Sequence, residues 1–143
     1  MADLTVRTYD PNQVIVTFMG VPITGFAEGT FVDIKPSGDA FTKSRGADGG
    51  IDRTNNNVFD YEVALTLKQT SPSNEVLSAA LAADRLSNAG TGILVVKDNN
   101  GTSLFTAAQA WIRKEPDQPW AEKLGTREWT FDTGVAANLV GGN

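Results

Sequence analysis

Asn57-Val58-Phe59-Asp60-Tyr61-Glu62-Val63-Ala64-Leu65-Thr66-Leu67 is the stretch whose reading decides the fold class. Phe59, Tyr61, Val63, Leu65 and Leu67 recur at every second position, and Asp60, Glu62, Ala64 and Thr66 fill the places between. Side chains of an extended chain point alternately to opposite sides, so this spacing predicts a long strand with one apolar and one polar face. A helix is expected directly after it, from Ser71 to about Leu86 or Ser87. Ser71 is the expected N-cap, Pro72 suits the first helical position, and Glu75 complements the positive end of the helix dipole. Val76, Leu77, Ala80, Leu81 and Ala83 form an apolar stripe at helical spacing, and Gly90 or Gly92 is expected to stop the helix.

Further out, the chain is punctuated by strand signals and turns. Val14–Phe18, Val21–Phe26 and Thr30–Lys35 read as strands, and Ala40–Ser44 as a possible short one. Ile93–Lys97 and Thr102–Arg113 read as a hairpin around Asp98-Asn99-Asn100-Gly101, with Ala107-Ala108 breaking the alternation as a bulge does. Lys114–Lys123 carries Pro116 and Pro119 and reads as a loop. Arg127–Thr133 is a last strand, and Gly134–Asn143 a small-residue tail that is flexible unless docked. About seven sequential strands with short turns and one helix predict a mainly β protein, an antiparallel β-sandwich or barrel with the helix on its flank. Residues 1–143 are expected to form one domain.

The segment Arg45–Asn56 stands apart, with one apolar side chain larger than alanine, three glycines and four charges. It cannot supply core and is expected to project as a loop. It is either a mobile hairpin tip or an arm that orders on a partner.

Composition narrows the function. With no histidine and no cysteine, the chain lacks the commonest general base, the commonest transition-metal ligand and any thiolate chemistry. A net charge of -5 argues against gripping nucleic acid, whose phosphates call for a basic surface, but not against lying beside it. No apolar run approaches a membrane span, so no membrane insertion is expected. The start Met-Ala-Asp-Leu-Thr-Val-Arg lacks a basic region followed by an apolar core, which predicts cytoplasmic synthesis without a secretory signal. Asp60 and Glu62 share a strand face and invite a two-carboxylate glycosidase reading, but such pairs normally come from separate strands around a cleft. The Asp98–Gly101 turn lacks the closing glutamate of a calcium loop, and Gly46–Gly50 lacks the Lys-Ser/Thr ending of a phosphate loop. No catalytic residue, metal or cofactor is expected. Among the tryptophans, Trp111 and Trp129 sit at strand positions, and Trp120, between prolines and charges, is the candidate for a contact role.

Six stretches taken in order resemble one family. They are Gly25-Phe26-Ala27-Glu28-Gly29-Thr30-Phe31; Gly46-Ala47-Asp48-Gly49 through Arg53; Thr70-Ser71-Pro72-Ser73-Asn74 with Val76-Leu77; Lys97-Asp98 with Gly101-Thr102; Ala110-Trp111-Ile112; and Gly125-Thr126-Arg127-Glu128-Trp129-Thr130-Phe131. The pattern resembles the inner tail tube proteins of contractile-tailed bacteriophages, which are similar to type VI secretion tube proteins. The resemblance implies a structural virion protein, not an enzyme. It implies hexameric rings stacked into a tube, with strands from each copy lining the bore through which DNA passes. The implied partners are further copies of the chain, the tail sheath protein, and tape measure and baseplate or terminator proteins. On that reading Asp60 and Glu62, with Asp33, are expected to face the lumen. Arg45, Gly46, Asp48, Gly49, Ile51, Asp52, Arg53 and Trp120 are expected at contacts between copies. The alternative is a monomeric β-sandwich module that binds carbohydrate or another ligand.

Overall fold

The computed structural model describes residues 4–142. A short 3-10 turn, Pro11–Gln13, leads into strands β1 (Val14–Phe18), β2 (Val21–Ile23), β3 (Val32–Pro36), β4 (Phe41–Arg45), β5 (Ile51–Asn55) and β6 (Tyr61–Lys68). Helix α1 (Ser73–Ser87) follows, then β7 (Gly92–Asp98), β8 (Leu104–Lys114), β9 (Thr126–Thr133) and β10 (Ala136–Leu139). Eight strands form one antiparallel sheet in the order β2-β1-β7-β8-β9-β6-β3, with β10 also paired to β8. β4 and β5 make a separate two-stranded hairpin.

The sheet curls so that one face of its two halves meets in a single core. Val63, Leu65 and Leu67 of β6 are fully buried and stand opposite Phe131, Trp129 and Arg127 of β9. From the far half, Phe18 of β1 meets Phe131 edge-on at 5.1 Å between ring centres, and Phe105 of β8 meets Tyr61 at 5.2 Å. The chain after β2 then runs back along β6. Phe26 bridges Leu67, Lys68 N–H donates to the Gly25 carbonyl at 2.8 Å, and Ala27 N–H donates to the Thr66 carbonyl at 3.0 Å. Gly25 has φ +76°, and a Cβ there would lie 2.6 Å from Ser71 Oγ, so the close approach of this return segment to the helix start requires glycine.

Several expectations need correction. The strand begins at Tyr61, not Asn57. Asn57 takes a left-handed φ of 55°, and Phe59 is half exposed, because the chain must turn from the hairpin into the sheet before pairing starts. The helix begins at Ser73, with Pro72 in the cap position, while Ser71 Oγ accepts the Ser73 N–H and donates to the Thr24 carbonyl. Asn88, not Gly90 or Gly92, stops the helix in the left-handed conformation, which asparagine tolerates through its short polar side chain. The helix buries a narrow stripe of Ser73, Leu77 and Leu81, while Val76 and Ala83 face outward. The β8 irregularity does occur: pairing with β7 slips between Leu94–Ala107 and Gly92–Ala110, and burial changes phase there. The tail is docked, since β10 pairs with β8 and Gly141 N–H donates to Ser103 Oγ at 3.0 Å.

If the narrow stripe anchors α1, Leu77→Ala should lower the unfolding free energy by roughly 2–5 kcal/mol, as buried leucine truncations do. Val76→Ala should change it by less than about 0.5 kcal/mol. Urea unfolding of the two variants checks this, and equal losses would mean a different face is packed.

Candidate functional site: the polar face and the projecting hairpin

The outer face of β8, β9, β6 and β3 carries the polar half of the alternation. Glu62 stands opposite Asp132 on one side and Lys35 on the other, and Asp33 stands opposite Ala64. Asp60 precedes the strand but lines the same depression as Glu62, Trp111, Arg113 and Asp132. The structure therefore brings Asp60 and Glu62 together and sets Asp33 along the same face. Neither Glu62 nor Asp33 is a lone carboxylate. Arg113 Nη2 donates to Glu62 Oε1 at 2.8 Å, and Arg113 Nη1 lies 3.5 Å from Asp132 Oδ1. Lys35 Nζ lies 3.4 Å from Asp33 Oδ2.

Arg113 and Asp132 are functional neighbours that sequence reading missed. Arg113 sits at an irregularity, where β8–β9 pairing passes from Ile112–Phe131 to Lys114–Thr130. A strict period of two does not decide the face of a residue at such a point. Thr130, two positions before Glu62's partner Asp132, is buried and lines a pocket with Lys114 at the end of β8 and Glu115, Asp117 and Pro119 of the following loop. That loop covers one margin of the polar face. Counted over the strand positions and Asp60, the face holds five carboxylates (Asp33, Asp60, Glu62, Glu128, Asp132) and four cations (Lys35, Lys68, Arg113, Lys114). It is a near-balanced charged surface with one negative charge in excess. Carboxylates clamped by a shared arginine suit a static wall better than general acid–base work, which needs a group poised to change protonation.

The segment expected as a loop is a β-hairpin. β4 and β5 pair from Phe41–Asn55 to Arg45–Ile51, and every residue in both strands is exposed. The connection Gly46–Gly50 is closed by the Gly46 N–H to Gly50 carbonyl bond at 2.8 Å and by the Gly50 N–H to Asp48 Oδ1 bond at 2.9 Å, with Gly49 at φ +87°. Gly46, Asp48 and Gly49 thus build the turn. The pairing puts Phe41, Lys43 and Arg45 on one side with Ile51 and Arg53, and Arg53 lies 4.4 Å from the centre of the Phe41 ring. Asp52 falls on the other side with Thr42, Ser44 and Thr54. The Asp48-Gly49 pair was the turn signal available in the sequence; β4 matches the short strand read over Ala40–Ser44, while β5 escaped notice because it has no apolar face to bury. Trp120 lies elsewhere, 76% exposed in the loop after β8, with the Arg127 guanidinium 5.3 Å from its ring centre. No helix among the described residues is long and apolar enough to cross a membrane.

Comparison with known proteins gives these features a setting. A family model described as the bacteriophage PhiTE tail tube protein matches residues 18–141. The chain is 31% identical over 144 residues to "Structural protein ORF10" of Pseudomonas phage KPP10, covering 95% of this chain and 83% of that protein. Three cryo-EM structures share its fold. The tube-terminating cap of the anti-feeding prophage is 12% identical with a TM-score of 0.66, over 96% of this chain and 95% of that one. The PVC sheath/tube terminator of an extracellular contractile injection system is 13% identical with a TM-score of 0.67, over 94% and 99%. The PVC sheath–tube complex in its extended state gives 11% and 0.64, over 92% and 91%. The chain belongs to the bacteriophage PhiTE tail tube protein family, and is a structural protein of the virion tail and not an enzyme.

Proposed function

We propose that copies of this chain close into hexameric rings, that the rings stack as the inner tube of a contractile tail, and that the polar face of β8, β9, β6 and β3 lines the bore. The observation that carries the reading is a pair of open strand edges. Among the described residues β3 pairs only with β6, and Trp111–Lys114 of β8 pair only with β9. Unsatisfied edges invite another strand. The four strands between these edges alternate in direction, so β3 of one copy laid beside β8 of the next continues an antiparallel ladder. A heterologous contact of that kind closes into a ring by rotation, and repetition along the axis makes a tube.

The hairpin supports the same reading. A two-stranded hairpin is at best marginally stable alone in water, and this one exposes Phe41 and Ile51. Its side bearing Lys43, Arg45 and Arg53 offers cations to copies of a chain whose net charge is -5. We assign it to the junction between rings. A tail sheath is the outer partner by analogy with the sheath–tube complex of similar fold, with tape measure and baseplate or terminator proteins at the bore and the ends. In the bore, Arg113 held between Glu62 and Asp132 is masked from DNA phosphates, and the remaining excess is negative, so the genome slides without adhering.

Negative-stain imaging of the purified protein should show rings or tubes; monodisperse single copies at every concentration would overturn the proposal. Deleting Gly46–Arg53 should give a folded monomer that forms no tubes, as judged by circular dichroism and sedimentation. Asp60→Asn with Glu62→Gln should leave tube length unchanged and slow DNA ejection from the particle. Glu62→Gln alone should account for more of the effect than Asp60→Asn, because it unmasks Arg113.

A further inference from the structure

Arg127 lies on the core face of β9 yet carries a charge. Only 5% of it is exposed, and its Nη2 is buried without a hydrogen-bond partner among the described residues. Its Nη1 donates to the neighbouring Thr126 carbonyl at 2.9 Å. None of the ion pairs among the described residues includes it: of the acids in the loop before β9, Glu115 and Asp117 lie against Arg85 and Lys114. A buried cation without a counter-charge costs several kcal/mol in general and is retained only where something takes it up.

That something has a place to sit. Arg127 lines a cavity of about 170 Å³ together with Gln69, Asn74, Gln118, Trp120 and Trp129. The walls are fixed by their own bonds. Trp129 Nε1 donates to Asn74 Oδ1 at 3.0 Å, and Asn74 Nδ2 donates to the Lys68 carbonyl at 3.0 Å. Gln69 Oε1 accepts the Gly125 N–H at 3.0 Å, which leaves the donor end of that amide for a ligand. The first amides of α1 are occupied by Ser71 and Pro72, so the guanidinium and not the helix end supplies the positive charge.

We propose that this cavity is an anchor pocket for a carboxylate side chain, Asp or Glu, of a partner polypeptide. The forked guanidinium matches a carboxylate. The volume suits one short side chain and not a metabolite. The cavity opens beside Trp120, which is 76% exposed, and Pro116 and Gln118 of the same loop line it too; an arginine beside exposed and buried indole rings has the residue types that anchor protein–protein contacts.

Titration calorimetry of the full chain tests this with three probes: acetyl-Ala-Ala-Asp-Ala-Ala-amide, the same peptide with Asn, and sodium acetate. The Asp peptide should bind saturably and at least about tenfold more tightly than the Asn peptide, and more tightly than acetate. Arg127→Met should abolish the difference between the peptides. Trp120→Ala, at a position 76% exposed, should weaken the Asp peptide about threefold. Equal binding of the two peptides, or an Asp peptide unaffected by Trp120→Ala, would overturn the pocket. Acetate binding as tightly as the peptide would overturn the polypeptide source.

Discussion

The pairing of β6 with β9 is the constraint on which the rest of the molecule depends. Seven consecutive residue pairs, from Glu62–Asp132 to Lys68–Thr126, set the two strands side by side. The register puts Val63, Leu65, Phe131 and Trp129 on one face and Glu62, Ala64, Thr130 and Asp132 on the other. A slip of one residue would exchange the faces, bury the carboxylates and expose the aromatic rings. The same register therefore sets both the core and the charged wall. It also positions Trp129 to hold Asn74 and hence the start of the helix.

What the core leaves over is as informative as what it uses. The sheet curls far enough to cover its apolar face, and the return segment at Gly25–Ala27 pairs with the end of β6 at Thr66–Lys68, yet β3 and the end of β8 keep open edges. Soluble monomers usually blunt such edges with charge, proline or a bulge. Here Pro36 ends β3 and an irregularity precedes Lys114, but the edges remain long enough for another strand. A projecting hairpin with no core of its own adds to the same impression. Open edges and an exposed hairpin are features that a lone molecule usually avoids, and the proposed assembly would cover them.

Two arginines illustrate how context separates like residues. Arg113 lies on the outer face between two carboxylates, at a distance where its charge is cancelled locally. Arg127 lies in from the surface on the core face of β9, beside indole rings, and none of the ion pairs among the described residues includes it. The outer arginine is clamped between carboxylates; the inner one keeps a buried Nη2 without a hydrogen bond among the described residues.

The sequence by itself determined the class of the protein. Alternation from Tyr61 to Leu67 and from Arg127 to Thr133, the helical spacing at Leu77 and Leu81, and the turn residues between them were legible because they are local periodicities. The missing histidine and cysteine removed most catalytic chemistry, and six ordered stretches carried the family. Only the tertiary structure decided which strands are neighbours. It showed β5 where a loop was expected after the short strand at Ala40–Ser44, since a strand exposed on both sides carries no hydrophobic signature. It joined Arg113 to Glu62, 51 positions apart, and left Nη2 of Arg127 without a hydrogen-bond partner among the described residues. Ion pairing and its absence depend on distances across the sheet, and those follow from how the strands fold together and not from spacing along the chain.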